Sequence, residues 1–156
     1  MKKEVVSVYV DNKANVLSRV VSLYGRRGFN IDSLTVSATN DPGISRITIV
    51  FEGDNLTLHQ IVAQTEKLEV VRSIKTLDGS KSFFRELLMI KVKADQSKRR
   101  EIKEIVDIFR AKIINLTKEE MVLELTGAPE KLDAFLDLIE DYEIVDICRT
   151  GVTGIE

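Results

Sequence analysis

The sequence has few of the residues from which enzymes build reactive or metal-binding sites. It contains one histidine, His59, and one cysteine, Cys148, and it contains no tryptophan. One residue of each kind excludes the usual zinc-ligand spacings and offers no cysteine–histidine pair placed for nucleophilic catalysis. We expect His59 to be a solvent-facing helix residue and Cys148 to be a buried, inert thiol. A single cysteine cannot form a disulfide within the chain, so a reducing, cytoplasmic location fits.

An excess of one charge sign and long apolar runs are also missing. The 156 residues carry a formal net charge of −2, with 23 basic and 25 acidic side chains. This balance produces no global field that would favour nucleic acid or an anionic membrane. No apolar run approaches the roughly 20 residues that a membrane helix needs. The sequence therefore predicts a globular protein with neither a nucleic-acid nor a membrane partner.

The pattern that is present is a βαββαβ order that occurs twice. Alternating apolar residues predict strands at 4–11, 30–39, 45–52, 69–77, 84–94, 112–117, 120–126 and 143–149. Helical spacing predicts helices at about 15–27, after Asp54, after Ser97 and from Pro129. The fold class is α+β, with two ferredoxin-like domains, each an antiparallel four-stranded sheet with two helices on one face. We assign residues 1–78 and 84–156 to these domains and 79–83 to a linker.

One face of the first predicted sheet has no helix to cover it. It carries small polar and apolar side chains, which are Ser33, Thr35, Ser37, Thr48 and Val50. Such a face suits packing against another sheet, so we expect the two units to pair within the chain, between chains, or both. RNA-binding modules of this topology stack bases on aromatic side chains of the central strands, and the strand at 45–52 offers none outward. The basic run Lys98-Arg99-Arg100-Lys103 is interpreted as the exposed side of a helix.

The stretch from residue 12 to residue 34 is the best functional candidate. Its helix presents an apolar face that we predict to consist of Leu17, Val20, Val21 and Tyr24. Asn15 stands where a side chain caps the first turn, and Asn12 and Asn30 lie just outside the two ends of the crossover. Free N–H groups at the helix start can bind a carboxylate, and amides can fix a small polar ligand.

Several runs resemble a known family. They are Asn12-Lys-Ala-Asn-Val-Leu-Ser-Arg19, Arg26-Arg-Gly-Phe-Asn-Ile-Asp-Ser-Leu-Thr-Val36, Asp41-Pro-Gly-Ile-Ser-Arg-Ile-Thr48, Arg85-Glu-Leu-Leu-Met-Ile-Lys-Val92, Ile108-Phe-Arg-Ala-Lys-Ile-Ile114, Lys131-Leu-Asp-Ala-Phe-Leu136 and Arg149-Thr-Gly-Val152. The chain resembles the small regulatory subunits of acetohydroxyacid synthase, also called acetolactate synthase. The resemblance implies an ACT domain in the first half and a second ferredoxin-like domain in the second half.

The resemblance also implies a function without catalysis. Such a subunit binds the catalytic large subunit, raises its activity and confers feedback inhibition by valine in branched-chain amino acid biosynthesis. Thiamine diphosphate, magnesium and FAD then belong to the catalytic subunit, and this chain has no cofactor, metal or catalytic residue. The family dimerises through its ACT domains. The alternative is a free-standing ACT-domain amino-acid sensor or transcription regulator, although no helix-turn-helix or basic arm is visible.

In this family the effector lies between the ACT domains of two chains. Carried over residue by residue, one chain contributes Asn12, Asn15, Val16 and Leu17, and the other contributes Asn30 and Ile31. Main-chain N–H groups near residues 16–18 would hold the carboxylate, and Asn30 with nearby carbonyls would accept from the ammonium. Val16 and Ile31 would form walls around the branched side chain.

The sequence departs from the family pattern at Asn15, where glycine is usual. As an N-cap, the Asn15 side chain would occupy the N–H groups that a ligand carboxylate needs. Alternatively, its amide would contact the ligand. Replacing Asn15 by glycine distinguishes the two possibilities, since binding becomes tighter in the first case and weaker in the second.

Overall fold

The structure, a computed structural model, describes residues 2–156. The first half of the chain forms β1 (Lys2–Asp11), α1 (Val16–Arg26), β2 (Ile31–Ala38), β3 (Ile44–Gly53), α2 (Asn55–Glu66) and β4 (Val71–Thr76). The second half forms β5 (Phe83–Lys93), α3 (Gln96–Phe109), β6 (Lys112–Leu116), β7 (Glu120–Gly127), α4 (Pro129–Ile139), β8 (Ile144–Arg149) and β9 (Thr153–Ile155). Both predicted βαββαβ sets are confirmed. No helix within residues 2–156 is long and apolar enough to cross a membrane.

The first sheet has the strand order β2-β3-β1-β4, with all neighbours antiparallel. Alternation along β1 sends Val6, Val8 and Val10 to the buried side, where they meet Ile47 and Ile49 of β3. Helices α1 and α2 contribute further buried residues to this core, so they cover the same side of the sheet. The predicted ferredoxin-like arrangement is therefore confirmed for the first half.

The buried face of α1 shares Val20 and Tyr24 with the predicted face and differs at the other two residues. Val16, Val20, Leu23 and Tyr24 are buried, whereas Leu17 is 40% exposed. The apolar stripe begins at Val16, the first residue of the helix, and counting from Leu17 omitted Val16 and Leu23. Leu17 is consequently an exposed apolar side chain beside the helix N-terminus.

The second sheet contains the strand order β6-β7-β5-β8, which repeats the topology of the first. Its core joins buried residues of β5 and β7 to α3 and α4, among them Phe135, which packs edge-on against Phe109. The prediction that Cys148 is buried was wrong, because its side chain is exposed. Cys148 pairs with Met89 in register on the edge strand β8, and Met89 is exposed as well.

The chain forms two compact units, and the first unit combines two separate segments of the sequence. The first unit extends to Phe83 and also includes Val152–Glu156, and the second unit is Phe84–Gly151. Our predicted second domain ran through residue 156, so its last five residues lie with the first unit instead. The predicted open face of the first sheet carries polar groups that bind the backbone of these residues.

Candidate functional site

The backbone of Asn15 gives the start of α1 an unusual form. Asn15 has φ 67° and ψ −1°, in the left-handed region, and its side chain makes no capping hydrogen bond. The prediction that Asn15 is a side-chain N-cap was therefore wrong. An N-cap side chain reaches the first-turn N–H groups from an extended backbone, which this residue does not have. Asparagine and glycine are the residues that best tolerate positive φ, so the backbone explains why glycine is usual at this position.

The first turn of α1 consequently keeps its N–H groups free of a side-chain cap. The first intrahelical bond runs from the Arg19 N–H to the Asn15 carbonyl at 3.2 Å. The N–H groups of Val16, Leu17 and Ser18 precede that bond, and such groups have no partner inside a helix. They stand at the positive end of the helix dipole, where an anion is stabilised. The first turn contains no acidic residue that would compete for this position.

Asn12 fixes the loop that leads into this turn. Its Nδ2 donates to the Pro42 carbonyl at 2.9 Å, and its main-chain N–H donates to the Gly43 carbonyl at 2.9 Å. The loop before α1 is thereby tied to the turn between β2 and β3. One side-chain N–H of Asn12 already has a protein partner, so the amide serves first as a structural clamp. Its oxygen accepts no hydrogen bond in that clamp.

The candidate residues separate into two groups in one chain. Asn12, Asn15, Val16 and Leu17 form the loop group, and Asn30 and Ile31 form the strand group. Ile31 is in register with Phe51, which pairs with Glu4, whereas Asp11 beside the loop group pairs with Ile44. The seven positions from residue 4 to residue 11 of β1 span roughly 23 Å. The two groups therefore do not meet around one small ligand within a single chain.

The exposure of the candidate side chains differs in a way that matters for binding. Val16 is only 4% exposed and belongs to the core, so this residue offers its N–H rather than its side chain. Leu17 and Asn30 are exposed, and Ile31 is half-buried. The loop group thus presents a helix start without a side-chain cap and one exposed apolar neighbour. The strand group presents an amide beside a partly covered aliphatic side chain.

The arrangement contains no chemistry of its own. None of the six candidate side chains titrates. Tyr24 is buried in the core against Phe51, and burial raises its pKa to about 12, so its phenol is protonated at neutral pH. His59 is exposed on α2, as predicted. Among residues 2–156, no group of three His, Cys, Asp or Glu side chains is placed to hold a metal ion.

Comparison with known proteins identifies the family. The family model described as "AHAS small subunit-like ACT domain" matches residues 6–73, and the one described as "Small subunit of acetolactate synthase" matches residues 85–156. The chain is 43% identical to a probable acetolactate synthase small subunit of Archaeoglobus fulgidus, with 96% of this chain and 93% of that protein covered. It is 40% identical to the acetolactate synthase isozyme 3 small subunit of Escherichia coli, covering 98% and 94%.

A solved structure agrees with these relatives. The crystal structure of the acetolactate synthase small subunit from Thermotoga maritima superposes with a TM-score of 0.92 at 38% identity, covering 99% of this chain and 97% of that one. The resemblance inferred from the sequence runs is confirmed over both halves of the chain. It also separates the chain from the catalytic subunits of the enzyme. The protein belongs to the acetolactate synthase small-subunit family.

Proposed function

We propose that this chain is the regulatory subunit of an acetolactate synthase. It binds the thiamine-diphosphate-dependent catalytic subunit in the cytoplasm, raises its activity and makes it sensitive to inhibition by valine. Family membership supports the subunit role. The observation that carries the effector role is the uncapped first turn of α1 after the left-handed Asn15. A free amino acid brings the carboxylate that such a turn binds.

The separation of the two groups supports a site shared by two chains. One chain supplies the N–H groups of residues 16–18 and the Leu17 side chain. Its partner supplies Asn30 and Ile31, which would meet the ammonium and the branched side chain. In one chain the two groups lie roughly 23 Å apart along β1. In a two-fold dimer each chain therefore contributes its loop group to one site and its strand group to the other, so the dimer has two sites.

The edge of the first sheet supports dimerisation through this unit. β2 is the terminal strand in the order β2-β3-β1-β4, so one of its edges has unpaired backbone groups. On α1, the small residues Ser18, Ser22 and Gly25 line an open groove of about 720 Å³, together with Arg19, Arg26 and Leu68. Small side chains let a second backbone approach closely. A copy of the same unit would pair the edge strands and cover the groove.

In this proposal, valine regulates the enzyme only if it binds one arrangement of the dimer more tightly than the other. A coupling of about 1–3 kcal/mol is ordinary for such systems. Valine bound at the shared site favours one arrangement of the two first units. The catalytic subunit responds to that arrangement.

Reconstitution tests the proposal. The purified chain is mixed with the catalytic subunit of the same organism, and acetolactate formation is measured with and without valine. We expect activity to rise on mixing and to fall as valine is added. Leucine and isoleucine serve as matched effectors, and alanine is the control with too small a side chain. A catalytic subunit whose activity is unchanged by this chain contradicts the subunit role, and a reconstituted enzyme indifferent to all three branched amino acids contradicts the effector role.

A further inference from the structure

The last five residues of the chain, Val152–Glu156, cross the helix-free face of the first sheet. We call this segment the strap. At β2, the Val152 N–H donates to the Ser33 hydroxyl at 3.4 Å, and the Thr35 hydroxyl donates to the Val152 carbonyl at 3.2 Å. The Val152 side chain is only 7% exposed. The strap therefore begins as a packed and hydrogen-bonded segment on the edge strand.

The strap then passes over the other strands. The Arg46 guanidinium on β3 donates to the Gly154 carbonyl, and its Nε donates to the Ser7 hydroxyl of β1 at 2.8 Å. The same guanidinium lies 5.4 Å from the ring centroid of Tyr9, where a cation is attracted by the ring face. At the far edge, Lys75 on β4 lies 3.6 Å from the Glu156 carboxylate. The strap thus crosses the sheet from β2 to β4, transverse to the strands.

β2 is the strand that gains most from this contact. It pairs only with β3, and its register shifts between Ile31 and Ser33. A strand with such a register shift opens locally more easily than a regular strand, also when its free edge pairs with a second copy. Ser33 and Thr35, which bond to the strap, lie two and four residues after Ile31 of the strand group.

We propose that the strap is a positioning device that holds the first half of β2 in the geometry needed by Asn30 and Ile31. This inference rests on the proposed function, because it assigns to the strap a part in effector binding. Ser33 and Thr35 act through β2 and do not touch the effector. If β2 is loosened, the effector must order it on binding, and the observed affinity falls.

The test uses the full chain with Thr35→Val, which removes the hydroxyl donor at nearly constant shape. Valine binding is measured by calorimetry, and backbone opening of residues 31–36 by hydrogen exchange without valine. We expect about fivefold weaker valine binding and about fivefold faster exchange, the factor for losing one ordinary hydrogen bond. Ser33→Ala removes the other strap contact on β2 and provides an independent variant should Thr35→Val fold poorly.

Two controls separate positioning from a general loss of stability. Thr35→Ser retains the hydroxyl and is expected to restore valine affinity to within twofold of the wild type. Thr126→Val makes the matched change at an exposed position of β7 in the second unit, and neither measurement should change.

The outcomes are distinguishable. Wild-type protein that binds no branched amino acid overturns the proposed effector role, and this inference with it. Wild-type protein that binds valine, together with Thr35→Val and Ser33→Ala variants of equal affinity, overturns this inference alone. Weaker binding by both variants with recovery in Thr35→Ser supports it.

Discussion

The helices α1 and α3 follow the first strand of their respective units, yet their N-termini differ. Asn15 before α1 is left-handed and makes no side-chain cap. Asp95 before α3 is extended, and its Oδ1 accepts from the N–H groups of Ser97 and Lys98, both at 3.0 Å. In the second unit, a carboxylate of the chain itself occupies the place that an anionic ligand would take. The same topology is thus closed to a carboxylate in one unit and open in the other.

The remaining helices strengthen this contrast. Asp54 caps α2 through the Thr57 N–H at 2.8 Å, and α4 begins with Pro129, which has no N–H to satisfy. Of the four helices within residues 2–156, α1 is the one that begins with neither a carboxylate cap nor a proline. Its open start is therefore a local property of the loop at residues 12–15 rather than a feature of the fold.

The largest expected effect comes from making α1 resemble α3. Asn15→Asp adds a negative charge beside the N–H groups that we assign to the ligand carboxylate. Like charges a few ångströms apart at a protein surface repel by about 1–4 kcal/mol, so valine affinity should fall about tenfold or more. Calorimetric titration with valine measures the loss. Asn15→Gly is the uncharged control, and equal affinities of the two variants would place the carboxylate elsewhere.

The reverse change opens α3. Asp95→Ala removes the cap, and the melting temperature should fall by roughly 5 °C, as is usual when a capping side chain is lost from a small domain. Thermal unfolding followed by circular dichroism measures the change. Asp95→Asn keeps a capping oxygen and should retain most of the stability. A melting temperature unaffected by Asp95→Ala would show that the carboxylate contributes little to α3.

A smaller effect concerns the backbone of Asn15. Asn15→Ala places a side chain with no local polar compensation at φ 67°, and the free energy of unfolding should fall by about 1 kcal/mol. Asn15→Gly should leave stability unchanged or raise it slightly, since glycine adopts this conformation without strain. Urea unfolding of the three proteins provides the comparison. Greater stability of Asn15→Ala than of Asn15→Gly would contradict the left-handed assignment.

The smallest effect is a difference in acid sensitivity between the two helix starts. Hydrogen bonds from the Ser97 side chain and the Lys98 N–H lower the pKa of Asp95 below its usual value. A lowered folded-state pKa means that the stabilisation is complete above the unfolded value of about 3.9 and is lost as the pH falls through the folded value. Asn15 does not titrate, so α1 adds nothing to this dependence. Unfolding measured between pH 5 and pH 2.5 should show a shallower loss for Asp95→Asn than for the wild type.

Sequence patterns were sufficient to predict the strands and helices, but they did not predict the backbone conformation at the start of α1. Alternation of apolar and polar residues placed all eight strands of the two βαββαβ sets, including the edge strands β6 and β8, whose residues are all exposed. Asn15 was misassigned because asparagine favours both an extended N-cap and the left-handed region, and the residue type alone does not distinguish them. The choice is made by contacts distant in sequence, in which Asn12 binds Pro42 and Gly43.

Two other misses have related causes. β9 spans only Thr153–Ile155, which is too short for a period of two to be recognised. Cys148 lies on an edge strand whose residues are all exposed, so its apolar neighbours did not indicate burial. From the sequence, the residues of the loop group and the strand group were predictable, but their relative position was not. Their separation along β1 became evident from the strand register.

The strap has a consequence for how the protein is made. Because synthesis proceeds from the N-terminus, β1 to β4 leave the ribosome and can pair while the second unit is still being translated. The hydrogen-bond partners of Ser33, Thr35 and Arg46 emerge only after the second unit. The first unit begins to fold first, yet its hydrogen bonds to the strap form only after the whole second unit has been translated.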